Sequence, residues 1–207
     1  MEDKKLLPQI RKLFSGDVSG HDYYHTLRVY RTAMTIAREE SCNREIVMLG
    51  ALLHDADDKK LFATKDYANA RKLLENYGAS SDLTEQVIGV ISTVSFGDGK
   101  VPETIEGKIV QDADRLDAMG AVGIARTFAY GGSHGLPIYD PEMLPKMDMT
   151  PEQYRSHKGT SVNHFYEKLL CLKDTLHTQT AKKIAEKRHQ FMEEFLEEFL
   201  AQWDGKR

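Results

Sequence analysis

Cysteine is nearly missing from this chain: two residues, Cys42 and Cys171, among 207. So few exclude a disulfide framework and a cysteine-built zinc site, and both read as reduced structural thiols. Tryptophan occurs once and proline six times. No apolar run is long enough to span a bilayer, so no membrane partner is expected. Neither sign of charge prevails: 28 Lys and Arg stand against 32 Asp and Glu, a net charge of −4. Duplex nucleic acid, which needs a basic surface, is therefore not an expected partner. The opening MEDKKLLPQIRKLF mixes both charge signs with its leucines and lacks the continuous apolar stretch of an export signal, so the cytoplasm is the expected location.

What the chain does have is helical pattern, with 41% apolar residues to build a core. Over 22–39, Tyr23, Leu27, Tyr30, Met34 and Ala37 recur at steps of three and four, with Asp22 where an N-cap belongs. Residues 44–54, REIVMLGALLH, are apolar on all sides and suit a buried helix that ends at the charged run DADDKK. Residues 66–77 read as an exposed amphipathic helix closed by Gly78. Ser81 or Asp82 then caps a further one to about Val94, although the β-branched VIGVISTV also permits a strand. Pro102 is placed to begin a helix through Ile105, Ile109, Ala113 and Leu116 toward Met119. The last helix presents Ile184, Phe191, Phe195 and Phe199 with Leu196, Leu200 and Trp203.

Residues 131–160 hold four of the six prolines and four glycines without any sustained period, and read as a long loop of the kind that serves as a functional lid. Its YGGSHG lacks the Walker order and follows no strand, so hinge flexibility is the expected use of its glycines. With no repeat and no linker, one all-α domain over 1–207 is expected, its core at about 20–130 and C-terminal helices at about 160–203.

The residues able to do chemistry are His21, Asp22, His25, His54, Asp55, Asp57, Asp58, Asp112, Asp114 and Asp117. Two His-Asp dipeptides occur where about 0.6 is expected by chance, so the dipeptide alone says little. Placement says more. His54-Asp55 closes an apolar helix, and ionisable groups at the edge of a core call for a partner or a metal. Asp112, Asp114 and Asp117 gather carboxylates that a cation, or pairing with Arg115 or lysines, would relieve. On a helix Asp114 and Asp117 share a face and Asp112 points elsewhere, making 114 and 117 the inward pair. His25 lies off the 23-27-30-34 stripe, where a histidine is more often a hydrogen-bonded structural group. His177 and His189 sit among polar residues and read as surface groups, and His134 and His157 as surface groups or substrate contacts.

His25, then His54-Asp55, then Asp114 in QDADRLDAMGA resemble the H…HD…D pattern of the HD-domain superfamily of metal-dependent phosphohydrolases. GHDYYHTLRVYR, LGALLHDADDKK, GKIVQDADRLDAMGAVGIARTFAYGG and HFYEKLLCL are similar to successive blocks of a bacterial stand-alone subgroup. Some members of that subgroup cleave nucleoside triphosphates to the monophosphate and pyrophosphate. The resemblance runs from about Gly20 to the last helix and implies an HD-domain helical bundle with additional C-terminal helices.

It further implies that His25, His54, Asp55 and Asp114 ligate one divalent cation. Four protein ligands would close a tetrahedral zinc site, so an open six-coordinate ion is expected: manganese, with iron, cobalt or nickel able to substitute and magnesium less suited to two imidazoles. No histidine lies between Asp55 and Asp114, where binuclear relatives carry extra ones, so a single ion is expected. The pattern HD-x-x-D-x-K makes Asp58 the residue that orients or deprotonates the water and Lys60 a phosphate contact; an ordinary solvated turn is the competing reading. Arg28, Arg126 and Tyr130 are the expected substrate contacts, with a nucleotide as substrate. A phosphomonoesterase or phosphodiesterase on the same scaffold, a nonenzymatic nucleotide sensor, and a homo-oligomer all stay open.

Overall fold

The computed structural model describes residues 3–15, 22–59, 61–94, 100–150, 153 and 157–207. All regular structure among them is helical, and none of their helices is long and apolar enough to cross a membrane. The chain divides into two compact units, Met1–Asp114 and Arg115–Arg207.

The first unit is built on α1 (Asp3–Leu13), α2 (Tyr23–Ile36), α3 (Arg44–Leu53), α4 (Ala68–Tyr77), α5 (Ser81–Ile91) and most of α6 (Ile105–Asp117). α3 packs against α1, α2 and α5, and its Ile46, Val47, Leu49, Gly50, Ala51, Leu52 and Leu53 are all buried. This is the consequence of a helix apolar all round. Asn43 caps it by accepting from the N–H groups of Glu45 and Ile46, while the Glu106 carboxylate accepts from Asn43 N at 2.8 Å. α2 starts at Asp22, whose carboxylate accepts from His25 N at 2.7 Å.

The buried face of α2 is not the predicted one. His25, Thr26, Val29, Ala33 and Ile36 face the core, while of the predicted stripe Tyr23, Leu27, Tyr30 and Met34 are half-buried and only Ala37, at the helix end, is buried. α5 is capped by Ser80, not by Ser81 or Asp82, and no strand forms over VIGVISTV. α6 begins after Pro102 rather than on it, with Thr104 Oγ1 accepting from Gly107 N at 3.1 Å.

The second unit holds α7 (Gly120–Ser133), which no sequence period announced, α8 (Ser161–Glu167), a 3₁₀ turn at Leu169–Thr175, and α9 (Gln179–Trp203). Phe128 of α7 meets Phe165, Phe195 and Phe199 with ring centroids 5.8–6.1 Å apart. α9 buries Ala181, Ala185, His189, Met192 and Leu196, so His189 is no surface group. Phe191 and Trp203, placed on the apolar stripe by the sequence, are 48% and 49% exposed. The described residues of 134–150 and 157–160 form no regular element but are tied down. Ser161 N and Val162 N donate to Pro137 O and Ile138 O, and the Glu167 carboxylate, nearly buried, meets both Lys146 N and His157 Nε2.

Candidate metal centre

The four residues of the sequence pattern converge within the first unit. α2 delivers His25 on its buried face, α3 ends at His54, the turn after it carries Asp55, and α6 supplies Asp114. His25 Nε2 lies 3.2 Å from His54 Nε2 and 3.3 Å from Asp55 Oδ2. Asp55 Oδ2 is also 3.3 Å from His54 Nε2, and Asp114 Oδ1 stands 3.5 Å and 3.9 Å from the two imidazoles. The ligand atoms of His25, His54 and Asp114 all fall within 4.8 Å of one another.

These spacings and donor types fit a divalent cation. Donors about 2.1 Å from one shared ion lie roughly 3 to 4 Å apart, and two imidazoles with carboxylates suit a first-row metal. His54 Nδ1 donates to Ala51 O at 2.9 Å, which fixes the tautomer and leaves the Nε2 lone pair directed at the other donors. Both histidines are closed to solvent, Asp55 is 11% exposed in its side chain, and Asp114 is 25% exposed. The open side of the cluster is therefore the Asp114 side. Burial opposes charge on His54, yet the charge and hydrogen bond of Asp55, with the charge of Asp114, outweigh it and push His54 up to about 9. Two carboxylates beside buried imidazoles call for positive charge, and a proton or a metal can provide it.

The other expected site residues fall in different places. Asp58 is half-buried in the turn after His54-Asp55, its backbone N–H donating to Asp55 O at 3.1 Å. Lys60 and His21 lie outside the described residues. Arg28 is half-buried on α2, one turn beyond His25. Asp117, expected to face inward with Asp114, is 4% exposed and accepts a hydrogen bond from Arg126 Nη1 at 2.8 Å in the second unit. Arg126 is thus committed to a carboxylate of its own unit. Asp112, expected to point elsewhere, is fully buried. Tyr130 is half-exposed and stacks on His134 at 3.8 Å between ring centroids. Sequence reasoning counted Asp57 among the residues able to do chemistry but gave it no role, and with Asp66 standing at the start of the helix read over 66–77, nothing in the sequence pointed to a cap from residue 57.

The chain is similar to known proteins over nearly all its length. The HD domain family model matches residues 22–119. YpgQ of Bacillus subtilis is 38% identical, the match covering 93% of this chain and 91% of YpgQ. A YpgQ crystal structure in complex with ADP is similar at TM-score 0.77 and 34% identity, over 97% of this chain and 100% of that one. A Lactobacillus plantarum protein is similar at TM-score 0.86 and 38% identity, over 98% and 96% of the two chains. An HD-superfamily hydrolase of Bacillus thuringiensis is similar at TM-score 0.78 and 40% identity, over 99% of both.

Proposed function

The chain belongs to the HD superfamily of metal-dependent phosphohydrolases, and from that premise we propose that it cleaves a nucleoside triphosphate to the monophosphate and pyrophosphate. His25, His54, Asp55 and Asp114 hold one divalent cation, manganese by the match of mixed nitrogen and oxygen donors to an open site. The observation that carries this reading is the meeting of three ligand atoms, from α2, α3 and α6, within 4.8 Å. A nucleotide substrate is supported by the ADP complex of YpgQ.

A bound cation supplies Lewis acidity, lowering the pKa of a coordinating water and drawing charge from a phosphoryl oxygen. The protein's own groups do the rest. His54, held by Ala51 O through Nδ1, and the buried His25 keep their Nε2 atoms facing inward, so no reorganisation is needed when substrate arrives. Asp58 orients the attacking water or accepts its proton from the turn next to the ligands. Lys60 and Arg28 meet the phosphates, with Arg126 and Tyr130 as further substrate contacts; Arg126 would reach one only by sharing its guanidinium with Asp117.

The test is to strip metal from the purified chain, restore Mn²⁺, and screen nucleoside triphosphates with separate assays for pyrophosphate and orthophosphate. Pyrophosphate released in step with monophosphate is the expected result, and orthophosphate alone overturns the proposed bond. Loss of turnover in Asp58→Ala, with Mn²⁺ still bound, is expected if Asp58 handles the water.

A further inference from the structure

Asp57 sits between a proposed ligand, Asp55, and the proposed water-orienting Asp58, yet its carboxylate turns to another helix. Oδ1 accepts the N–H of Asn69 at 3.0 Å and Oδ2 the N–H of Ala70 at 2.9 Å. These are among the N–H groups that a helix leaves unpaired at its start. α4 has no cap of its own: Tyr67, at the capping position, is left-handed with φ 56° and makes no side-chain bond to the helix. Asp66 before it is left-handed as well, with φ 52°. Two successive non-glycine residues in that region persist only where the surroundings fix them.

Asn69 returns the contact, its Nδ2 donating to Ala56 O at 2.8 Å. Three hydrogen bonds therefore join residues 56 and 57 to residues 69 and 70. Beyond the turn, Leu61 N and Phe62 N both donate to Asp58 O, and the Phe62 ring meets Phe14 edge-on at 5.9 Å. His54 caps α3, and beyond it the turn is held from within by Ala56 N donating to Leu53 O at 3.0 Å and Asp58 N to Asp55 O at 3.1 Å. A carboxylate set to bind an ion has to be held to a fraction of an ångström, which the bonds to α4 help to do.

We infer that Asp57 is a positioning residue: with Asn69 as its partner it locks the His54-Asp55 turn to the start of α4 and so sets the metal ligands in place before the ion arrives. The inference rests on the metal-site reading above. A carboxylate is suited to the task because one group accepts from two adjacent N–H donors and complements the positive end of the helix dipole. Asparagine at 57 keeps the shape but loses the charge and one acceptor.

The test titrates Mn²⁺ into metal-free full-length protein, with affinity from calorimetry and the environment of the bound ion from its electron paramagnetic resonance line shape. Asp57→Asn and Asn69→Ala are expected to bind Mn²⁺ roughly tenfold more weakly and to broaden the spectrum. Ser80→Ala removes the acceptor of Leu83 N at the start of α5, so it costs the same unit a helix cap without touching the turn. It should retain wild-type affinity. If Asp57→Asn and Asn69→Ala weaken binding no more than Ser80→Ala does, the positioning role is wrong. His54→Ala separates the two readings: if it binds Mn²⁺ like the wild type, the metal site itself falls. If it loses the ion while Asp57→Asn keeps it, only the role of Asp57 falls.

Discussion

A buried imidazole is charged or neutral according to its neighbours, and the chain holds both kinds. With no cation beside it, His54 favours the charged form, because the Asp55 and Asp114 carboxylates outweigh its burial. His164 on α8 is the opposite case: burial, reinforced by the charge of Lys168, lowers it from 6.5 to about 4. Folding therefore keeps His164 neutral at a pH where the unfolded chain has taken up a proton. Its contribution to stability is complete above about pH 6.5, drains as pH falls toward about 4, and levels off below. The whole span is worth on the order of 3 kcal/mol. Urea midpoints at pH 7, 5.5 and 4.5 should show the wild type losing stability faster than His164→Gln, and parallel losses in the two proteins would contradict the assignment. No sequence signal announced this state, because HFYEKLL reads equally well with His164 inside or outside the helix packing.

Helices were legible as helices because the period of three to four residues survives any tertiary context, but their orientation was not always legible. α2 carries two stripes with the right step, 23-27-30-34 and 25-29-33-36. The first contains two tyrosines and scores as apolar, yet tyrosine is amphipathic and rests comfortably at a boundary. The second, with Val29, Ala33 and Ile36, is compact enough to pack against another helix, and it carries His25 inside with it. The start of α4 was equally hidden, since its cap comes from Asp57, twelve residues upstream of the first N–H it serves. Close helix approach also explains a glycine. A Cβ on Gly50 of α3 would stand 2.9 Å from Val90 Cγ1 of α5 and 3.3 Å from Val110 Cγ2 of α6, whereas one on Gly89 of α5 would meet nothing within 4 Å. Valine cannot swing away freely, so Gly50→Ala should lose stability by about 1–3 kcal/mol before a helix-propensity gain of up to about 1 kcal/mol is returned. Gly89→Ala should gain about 0.5–1 kcal/mol. Chemical denaturation of the two variants checks the contrast, and equal shifts would show that α3 and α5 do not meet this closely at Gly50.

At the scale of the whole molecule, the family was legible because the H…HD…D pattern keeps its residue types and order along the chain, and the four side chains it picked out, His25, His54, Asp55 and Asp114, do meet in the fold. The division into two compact units was not legible, since it falls inside α6, at Asp114 and Arg115, where no glycine, proline or polar linker marks it. The proposed metal site has a thermodynamic consequence that reaches beyond its own residues. Its donors come from residues 25, 54, 55 and 114, which meet only in the folded chain, so the unfolded chain offers an ion no comparable site. Binding must then stabilise the fold, by about 2.7 kcal/mol when free metal is a hundredfold above its dissociation constant. For a chain of this length that corresponds to a rise in melting temperature of roughly 5–10 °C over protein kept in chelator. His54→Ala should abolish the rise, and hydrogen exchange should place the added protection within Met1–Asp114. A metal-dependent rise of equal size in wild type and His54→Ala would mean that the ion binds elsewhere, and that the four converging side chains are not its site.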